Sequence, residues 1–286
     1  NAYDNLPFAL GYNYEKIISR DFNKIIIGEN YTLKSSSKLK KIKNEINYYK
    51  KLPIQIRNYF PRIVGSGKNY YKLETIKGVS YSYLYNNEIL LDKDIDLLME
   101  VLSKIHNLKV NKKFLKQNIY KNYFDKFNQR LKIIDLKLVN HFKKHINRIE
   151  NFLENYENQK EGKLGIVHGD TVFSNIFKTS NNTLKLIDPR AGQLNTFSMH
   201  GDIFYDYAKI YQSLTGFEEI FSYKSINKLF FIKKKIYFEN LIKSLYGENT
   251  LKNIKYLTSS LIISLIPMQD KKKSYQFLEL SKNILC

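Results

Sequence analysis

Two stretches near the middle of the chain decide the fold: residues 166–177, Ile-Val-His-Gly-Asp-Thr-Val-Phe-Ser-Asn-Ile-Phe, and residues 184–190, Leu-Lys-Leu-Ile-Asp-Pro-Arg. Asp170 and Asn175 are five residues apart, and Asp188 follows thirteen residues after Asn175. Two short apolar runs with a polar turn between them predict a hairpin, which would fold Asp188 back beside Asn175. We therefore expect one carboxylate to stay free beside an amide and a second carboxylate.

Such a set of side chains suits phosphoryl transfer. Mg²⁺ prefers oxygen ligands, commonly one or two carboxylates completed by water and phosphates, and an Asn carbonyl can share that role. A separate carboxylate must accept or orient the proton of the attacking hydroxyl group. The alternative interpretation is that Asp170 and Asn175 only form turns and that Asp188 only caps a strand.

At these residues the sequence resembles the aminoglycoside phosphotransferase and choline kinase superfamily, which has the protein-kinase-like fold. The loop of that family reads H-G-D-x-x-x-x-N and its metal strand ends in I-D. Here His168, Asp170, Asn175 and Asp188 stand at the matching positions. The resemblance implies that Asp170 is the catalytic base, that Asn175 and Asp188 bind Mg²⁺, and that His168 packs under the loop.

A second motif of the same family follows. Residues 201–208, Gly-Asp-Ile-Phe-Tyr-Asp-Tyr-Ala, are similar to its G-D-x-x-x-D-x-A helix start. The resemblance implies that Asp206 braces the catalytic loop through backbone N–H groups. It also places Asp202 behind that loop or beside the acceptor.

Arg190 departs from the family pattern, because many members continue the I-D pair with Trp and an acidic residue, whereas this chain has Pro189 and Arg190. A guanidinium group beside the metal site could bind a phosphate or an anionic acceptor. It could equally be a structural salt-bridge partner, and the sequence leaves both interpretations open.

The rest of the chain predicts an α+β, bilobal protein-kinase-like fold. Residues 1–77 favour a small β-rich, nucleotide-binding N-lobe, and residues 78–286 favour a larger, mainly helical C-lobe that carries the catalytic loop and the acceptor site. The N-lobe strands are predicted over 24–27, 31–34, 64–66 and 70–76. A helix is predicted over 38–51, with N-caps offered by the serines at 35–37. Helical apolar stripes are predicted over 95–105, 120–131 and 142–153.

The nucleotide site is expected in the N-lobe. Kinases of this fold place a strand Lys on the α- and β-phosphates and pair it with a helix Glu. Lys34 and Glu45 fit that arrangement, with Lys24 as the alternative strand Lys. Residues 73–78 resemble the hinge of the family, so the backbone around Glu74 and Ile76 would meet the adenine.

Composition narrows the class of protein further. The formal net charge is +20, but the basic residues are scattered, which favours solvated helix faces over a nucleic-acid surface. The one cysteine, Cys286, excludes a disulfide within the chain. Together with the lack of a leader pattern and of a long apolar segment, this leads us to expect a cytoplasmic protein without a membrane span.

We therefore predict a small-molecule kinase that uses ATP and Mg²⁺ to phosphorylate a hydroxyl group, with a sugar or a polysaccharide precursor as the acceptor. Its partners would be a nucleoside triphosphate and the acceptor, with no nucleic acid. The alternatives are a choline or ethanolamine kinase, an aminoglycoside kinase or, from another class, a non-catalytic nucleotide- or polyanion-binding module. The sequence leaves the oligomeric state open.

Overall fold

The computed structural model describes residues 23–110, 114, 116–190, 197–222 and 227–286. Its first part is an antiparallel sheet in the order β1-β2-β4-β3 with one helix, α1, packed on it. The predicted α+β architecture, with a small sheet followed by a larger helical part, is confirmed. The elements of the first part are β1 (Asn23–Ile27), β2 (Tyr31–Ser36), α1 (Leu39–Lys51), β3 (Ile63–Ser66) and β4 (Tyr70–Glu74).

The start of α1 differs from the prediction. Ser36 belongs to strand β2, and its backbone N–H donates to Asn69 O at 3.0 Å, so it cannot also begin the helix. Its hydroxyl oxygen accepts from Lys38 N at 3.2 Å in a local turn. The N-cap is Lys38, which makes no side-chain cap hydrogen bond. The prediction of a serine N-cap was therefore wrong, because sheet pairing extends through the first two serines.

Short strands link the two parts and frame the loops between them. The predicted hairpin of β7 and β8 gains a third strand, β5, that the sequence analysis missed, and β6 pairs with another missed strand, β9. Each missed strand is three residues long, too short for an alternating pattern to show. These elements are β5 (Gly78–Ser80), β6 (Leu164–Ile166), β7 (Ile176–Thr179), β8 (Leu184–Leu186) and β9 (His200–Asp202).

The larger part is helical and has a continuous apolar core. The stripe predicted over 120–131 is helical only from Phe124, so Tyr120 lies outside the helix that it was predicted to join. The helices are α2 (Tyr81–Asn86), α3 (Asp92–His106), α4 (Phe124–Leu131), α5 (Leu136–His141), α6 (Lys143–Asn158), α7 (Ile203–Gln212), α8 (Glu218–Ser222), α9 (Lys228–Tyr246), α10 (Glu248–Ile263) and α11 (Lys271–Ile284). Helix α7 is buried along its whole length and packs against α10.

Buried side chains join the sheet part to the helical part. The Tyr48 hydroxyl group on α1 donates to Val167 O at 2.9 Å, directly before the predicted catalytic loop. The Phe60 ring stacks on the ring of His168, with centroids 6.0 Å apart. These contacts fix the position of the loop relative to the sheet.

Within the described ranges, every helix falls short of the combined length and apolarity that a bilayer crossing requires.

A buried ion pair on α3 gives a test of the core. Asp94 accepts from Lys178 Nζ at 2.5 Å, and both residues are under 10% exposed. We expect Asp94→Ala to lower the free energy of unfolding by about 3–5 kcal/mol, because the substitution removes the carboxylate that pairs with a buried ammonium group and that also accepts from Leu91 N at the start of α3. Asp96→Ala is the matched control, since Asp96 is exposed on the same helix. Equal losses in urea titrations of the two variants would contradict the assignment.

Candidate active site

The loop at residues 168–170 is held from below by one carboxylate. Asp206, on α7, is fully buried, and it accepts from His168 N at 2.9 Å and from Gly169 N at 2.7 Å. The His106 ring lies 3.0 Å from the same carboxylate through Nε2. Two backbone N–H groups on one carboxylate leave the loop little freedom, so its shape is set by α7.

A glycine is required within this loop. Gly169 has φ of +80°, in the left-handed region that L side chains rarely adopt. A Cβ atom there would lie 3.0 Å from Cβ and 3.1 Å from the carbonyl oxygen of Arg190. The backbone N–H of Arg190 in turn donates to His168 O at 2.8 Å. The H-G-D loop and the segment after β8 therefore pack directly against each other.

Asp170 and Asn175 are joined by the turn between them. Asn175 Nδ2 donates to the carbonyl oxygen of Asp170 at 2.9 Å, which fixes the orientation of the amide. The carbonyl oxygen of Asn175 accepts from Ile187 N at 2.9 Å, which draws the end of β8 alongside. The side-chain oxygen of Asn175 has no protein donor among the described residues, and it is left for another partner.

Asp188 completes the predicted set. It has φ of +55°, a conformation that Asp adopts more readily than most residues, and its backbone N–H donates to the Tyr49 hydroxyl group at 3.3 Å. Burial alone would raise the pKa of Asp188, but the positive charges of Lys34 and Lys41 lower it. The charge of Asp170 acts on the same pKa in the raising direction, so the two carboxylates lie within electrostatic reach.

Lys34 joins the sheet to this set. Its ammonium group, on β2, contacts the Asp188 carboxylate and lies 3.0 Å from Glu45 Oε2 on α1. Lys34 is 7% exposed, whereas the alternative, Lys24, is exposed on β1. Burial alone would lower the pKa of Lys34, but Asp188 and Glu45 raise it, so the ammonium group stays charged. The structure thus brings the predicted strand Lys and helix Glu to the other predicted residues.

The residues present fit a magnesium ion. Asp188 offers a carboxylate that is 37% exposed, and Asn175 offers an amide oxygen without a protein donor in the described chain. Both are hard oxygen donors, the type that Mg²⁺ selects. No group of three or more His, Cys, Asp or Glu residues with metal-site geometry occurs among the described residues. An ion here would therefore need further oxygens from water or a phosphate.

The predicted hinge lies between β4 and β5. The Glu74 carboxylate lies 3.3 Å from Lys185 Nζ and 3.7 Å from Arg62 Nε, so its side chain is engaged on the protein. Within the described residues, no backbone hydrogen bond involves Ile76, whose side chain is half-buried. The free backbone N–H and C=O groups at this point could form hydrogen bonds with the edge of an adenine ring.

His168 and Asp202 are enclosed. Burial lowers the pKa of His168, so the ring is neutral near pH 7, and Nδ1 accepts from Asp170 N at 3.3 Å. Asp202 is the N-cap of α7 and accepts from the hydroxyl groups of Tyr123 and Tyr156 at 2.7 and 2.6 Å. Its carboxylate also accepts from two backbone N–H groups. These contacts tie the start of α7 to the two tyrosines and to Lys163 N before β6, and none of them reaches the loop at residues 168–170.

Lys209 is a charged residue at the loop that was not predicted from the sequence. Lys209 is buried on α7, and its ammonium group lies 3.2 Å from Asp170 Oδ1. Burial alone would raise the pKa of Asp170, but the charges of Lys209 and Arg190 lower it below its ordinary value. Lys209 follows Asp206 by three residues in a helix, so the two share a face. This three-residue spacing after Asp206 is the sequence feature that could have predicted Lys209 at the loop.

We compared the chain with protein families, curated proteins and solved structures. No protein-family profile matches the sequence, and no curated protein matches it. Solved structures do match. A thermostable mutant of aminoglycoside phosphotransferase APH(4)-Ia has a TM-score of 0.66 at 12% identity, covering 99% of this chain and 97% of that one. APH(2")-IIa in a ternary complex with streptomycin and ATP has a TM-score of 0.57 at 18% identity, with coverage of 99% and 97%.

A choline/ethanolamine kinase family protein from Mesorhizobium loti has a TM-score of 0.63 at 12% identity, covering 99% of this chain and 93% of that one. The likeness runs over nearly the whole of each chain. It shows that this chain has the protein-kinase-like fold that aminoglycoside phosphotransferases and choline/ethanolamine kinases share.

The loop glycine gives a test of the site. We expect Gly169→Ala to lower the free energy of unfolding by about 2–3 kcal/mol, because the new methyl group meets both the left-handed backbone and Arg190. Gly65→Ala is the control: Gly65 is not in the left-handed region, and an added Cβ would lie no closer than 3.7 Å to its neighbours, so it should cost less than about 1 kcal/mol. Chemical denaturation of both variants measures the difference, and equal costs would contradict the strain and packing assigned to Gly169.

Proposed function

We propose that this protein is a small-molecule kinase that transfers the γ-phosphate of ATP to a hydroxyl group in a Mg²⁺-dependent reaction. One observation carries the proposal: Lys34 on β2 contacts both Glu45 on α1 and Asp188 after β8. Ile187 N, next to Asp188, donates to Asn175 O, and the Asn175 amide group donates to Asp170 O. Residues that would bind a nucleotide and residues that would bind a metal ion thus lie side by side, in a fold shared with known phosphotransferases.

Lys34, Glu45 and the segment between β4 and β5 would bind the nucleotide. Lys34 would bind the α- and β-phosphates, since it is a buried cation that Glu45 holds in place. The free peptide group of Ile76 would meet the adenine, beside Glu74. Lys34 contacts Asp188 directly. Phosphates that enter the site would replace Asp188 as a partner of the Lys34 ammonium group.

Asp170 is the proposed base. In the transfer, the acceptor oxygen forms a bond to the γ-phosphorus, the bond from that phosphorus to the β,γ-bridging oxygen breaks, and ADP leaves. The hydroxyl proton passes to Asp170, which Lys209 keeps ionised. Asn175 and Asp188 would hold Mg²⁺, which supplies charge neutralisation on the phosphates when bound. Positioning of the reactants, rather than covalent chemistry, would supply most of the rate gain.

We propose a sugar or a polysaccharide precursor as the acceptor. Aminoglycosides and choline are cations, and a cation would meet repulsion at this loop, where Lys209 and Arg190 lie near Asp170. A choline, ethanolamine or aminoglycoside kinase is therefore the second candidate of the same class, supported by the structural neighbours. A non-catalytic nucleotide- or polyanion-binding module is disfavoured, because it would not need the set of Asp170, Asn175 and Asp188.

The direct test is ADP release in the presence of ATP and Mg²⁺, measured across a panel of sugars, sugar phosphates, amino alcohols and aminoglycosides. Acceptor-dependent turnover supports the kinase, and its pattern identifies the class of acceptor. Tight ATP binding without turnover on any member of the panel would favour the binding module.

Paired substitutions separate the base from the metal site. We expect Asp170→Asn to reduce turnover by about 10²–10⁴-fold, because the amide cannot accept the proton, while ATP with Mg²⁺ still raises the melting temperature. Asp188→Ala should instead abolish the Mg²⁺-dependent part of that thermal shift. Near-normal turnover in Asp170→Asn, or an unchanged shift in Asp188→Ala, would remove the corresponding assignment.

The pH dependence tests the contact between Lys209 and Asp170. The pKa of Asp170 is depressed, so its ionised form, and with it the activity, is lost only as the pH falls through that low value. Lys209→Met removes the nearest cation and should raise this pKa, which moves the acid limb of the kcat/KM profile to higher pH. Lys252→Met, on the exposed face of α10, is the control. Superimposable acid limbs in all three proteins would contradict the proposal that Lys209 keeps the catalytic base ionised.

A further inference from the structure

Two cations converge on one hydroxyl group beside the catalytic loop. Arg190 Nη1 donates to the Tyr205 hydroxyl oxygen at 2.8 Å, and Lys126 Nζ on α4 donates to the same oxygen at 3.4 Å. Lys126 and Arg190 are called the cation pair below. Among the described residues, neither member lies within 4.0 Å of a carboxylate, so a neutral phenol holds two positive groups together.

Such an arrangement is costly without a counter-charge. Burial, together with the positive charges of Arg190 and Lys209, lowers the pKa of Lys126 well below its ordinary value. Like charges gathered in a partly desolvated place repel one another, and a bound anion converts that repulsion into attraction. In contrast, Lys34, Lys178 and Lys209, which are also buried, each have a carboxylate partner.

One member of the cation pair, Arg190, lines a recess next to the proposed base. Tyr205, Asn122 and Asp202 line it too, as does Gly169, the residue that precedes Asp170. Lys126 is linked to this recess through the Tyr205 hydroxyl group. The Asp202 carboxylate there is already occupied by two tyrosine hydroxyl groups and two backbone N–H groups. The side-chain oxygen of Asn122 is buried and has no hydrogen-bond donor among the described residues. An unpartnered acceptor atom in a recess lined by Arg190 fits a ligand that carries both a hydroxyl donor and a negative group.

We propose that the acceptor is an anion: a hydroxyl compound that also carries a phosphate or a carboxylate, which the cation pair binds. The inference rests on the proposed kinase function and specifies its substrate class. The anionic group itself does not react. It would hold the molecule so that a hydroxyl group elsewhere on it faces Asp170, with Asn122 accepting from a further hydroxyl group.

The rival occupant of the cation pair is the nucleotide itself. Lys34 already provides a phosphate-binding cation from the sheet, whereas Lys126 comes from helix α4 of the helical part. Arg190 and Tyr205 also face the recess with Asn122. An experiment in which ADP and Mg²⁺ fill the nucleotide site distinguishes the two occupants, because only a separate acceptor site still takes up a second anion.

The test is isothermal titration calorimetry in saturating ADP and Mg²⁺ with three probes: glycerol 3-phosphate, glycerate and glycerol. We expect one of the two anionic probes to bind more tightly than glycerol, which also tells a phosphate site from a carboxylate site. Arg190→Ala should weaken that binding by about tenfold or more, because a charge-assisted hydrogen bond is lost. Arg190→Lys should recover part of it.

Lys121→Ala is the matched control, since Lys121 is an exposed lysine shortly before α4 and should leave the affinity unchanged. Arg190 is itself exposed, so Arg190→Ala should keep its melting temperature. The inference is overturned if glycerol binds as well as both anions, or if Arg190→Ala binds the anionic probe as the parent does. In those cases normal ADP affinity, and turnover of neutral or cationic acceptors, would leave the kinase proposal intact. Failure of the parent protein to bind ADP would instead overturn both proposals.

Discussion

The site depends on the hydrogen bonds that the Asp206 carboxylate accepts from the backbone of the H-G-D loop. Asp206 is fully buried on a helix that is itself enclosed along its length, so the loop inherits the rigidity of the core. The loop in turn fixes the segment after β8, because Arg190 N donates to His168 O. Every proposed chemical group, from Asp170 to Asp188, is positioned through this one anchor.

Charged side chains are paired on one side of that anchor and are in positive excess on the other. Lys34 lies between Glu45 and Asp188, so each charge on the nucleotide side has an opposite neighbour. On the other side, Lys209 neutralises Asp170, and the cation pair of Lys126 and Arg190 remains in excess. The site is therefore balanced where ATP and a metal ion are proposed to bind and electropositive where an acceptor is proposed to lie. An overall charge of +20 would not reveal this division, because it counts charges without locating them.

The sequence predicted the parts of this arrangement that motifs encode. The fold class was confirmed, and two short apolar runs with a polar turn between them predicted the hairpin that joins Asn175 to Asp188. Their catalytic and metal-binding roles stay predictions. The sequence did not predict the contacts made by residues without a motif: Lys209 reaches Asp170 across helix packing, and Lys126 meets Arg190 through a tyrosine 79 positions away from the lysine. Strands β5 and β9 were too short to show a pattern, and the pairing of Ser36 in the sheet overrode its preference for a helix cap.

The left-handed backbone at Asp188 limits which amino acids this position can hold. At φ of +55°, Gly, Asn and Asp are comfortable and most other residues are not. Glu would keep the negative charge but not the backbone preference, and Asn would keep the backbone but not the charge. Two independent demands, one geometric and one electrostatic, therefore leave aspartate as the single residue that meets both. A lineage that lost the need for the charge could hold Asn or Gly here without backbone strain, but the buried ammonium group of Lys34 would then keep only the Glu45 carboxylate as its partner among the described residues.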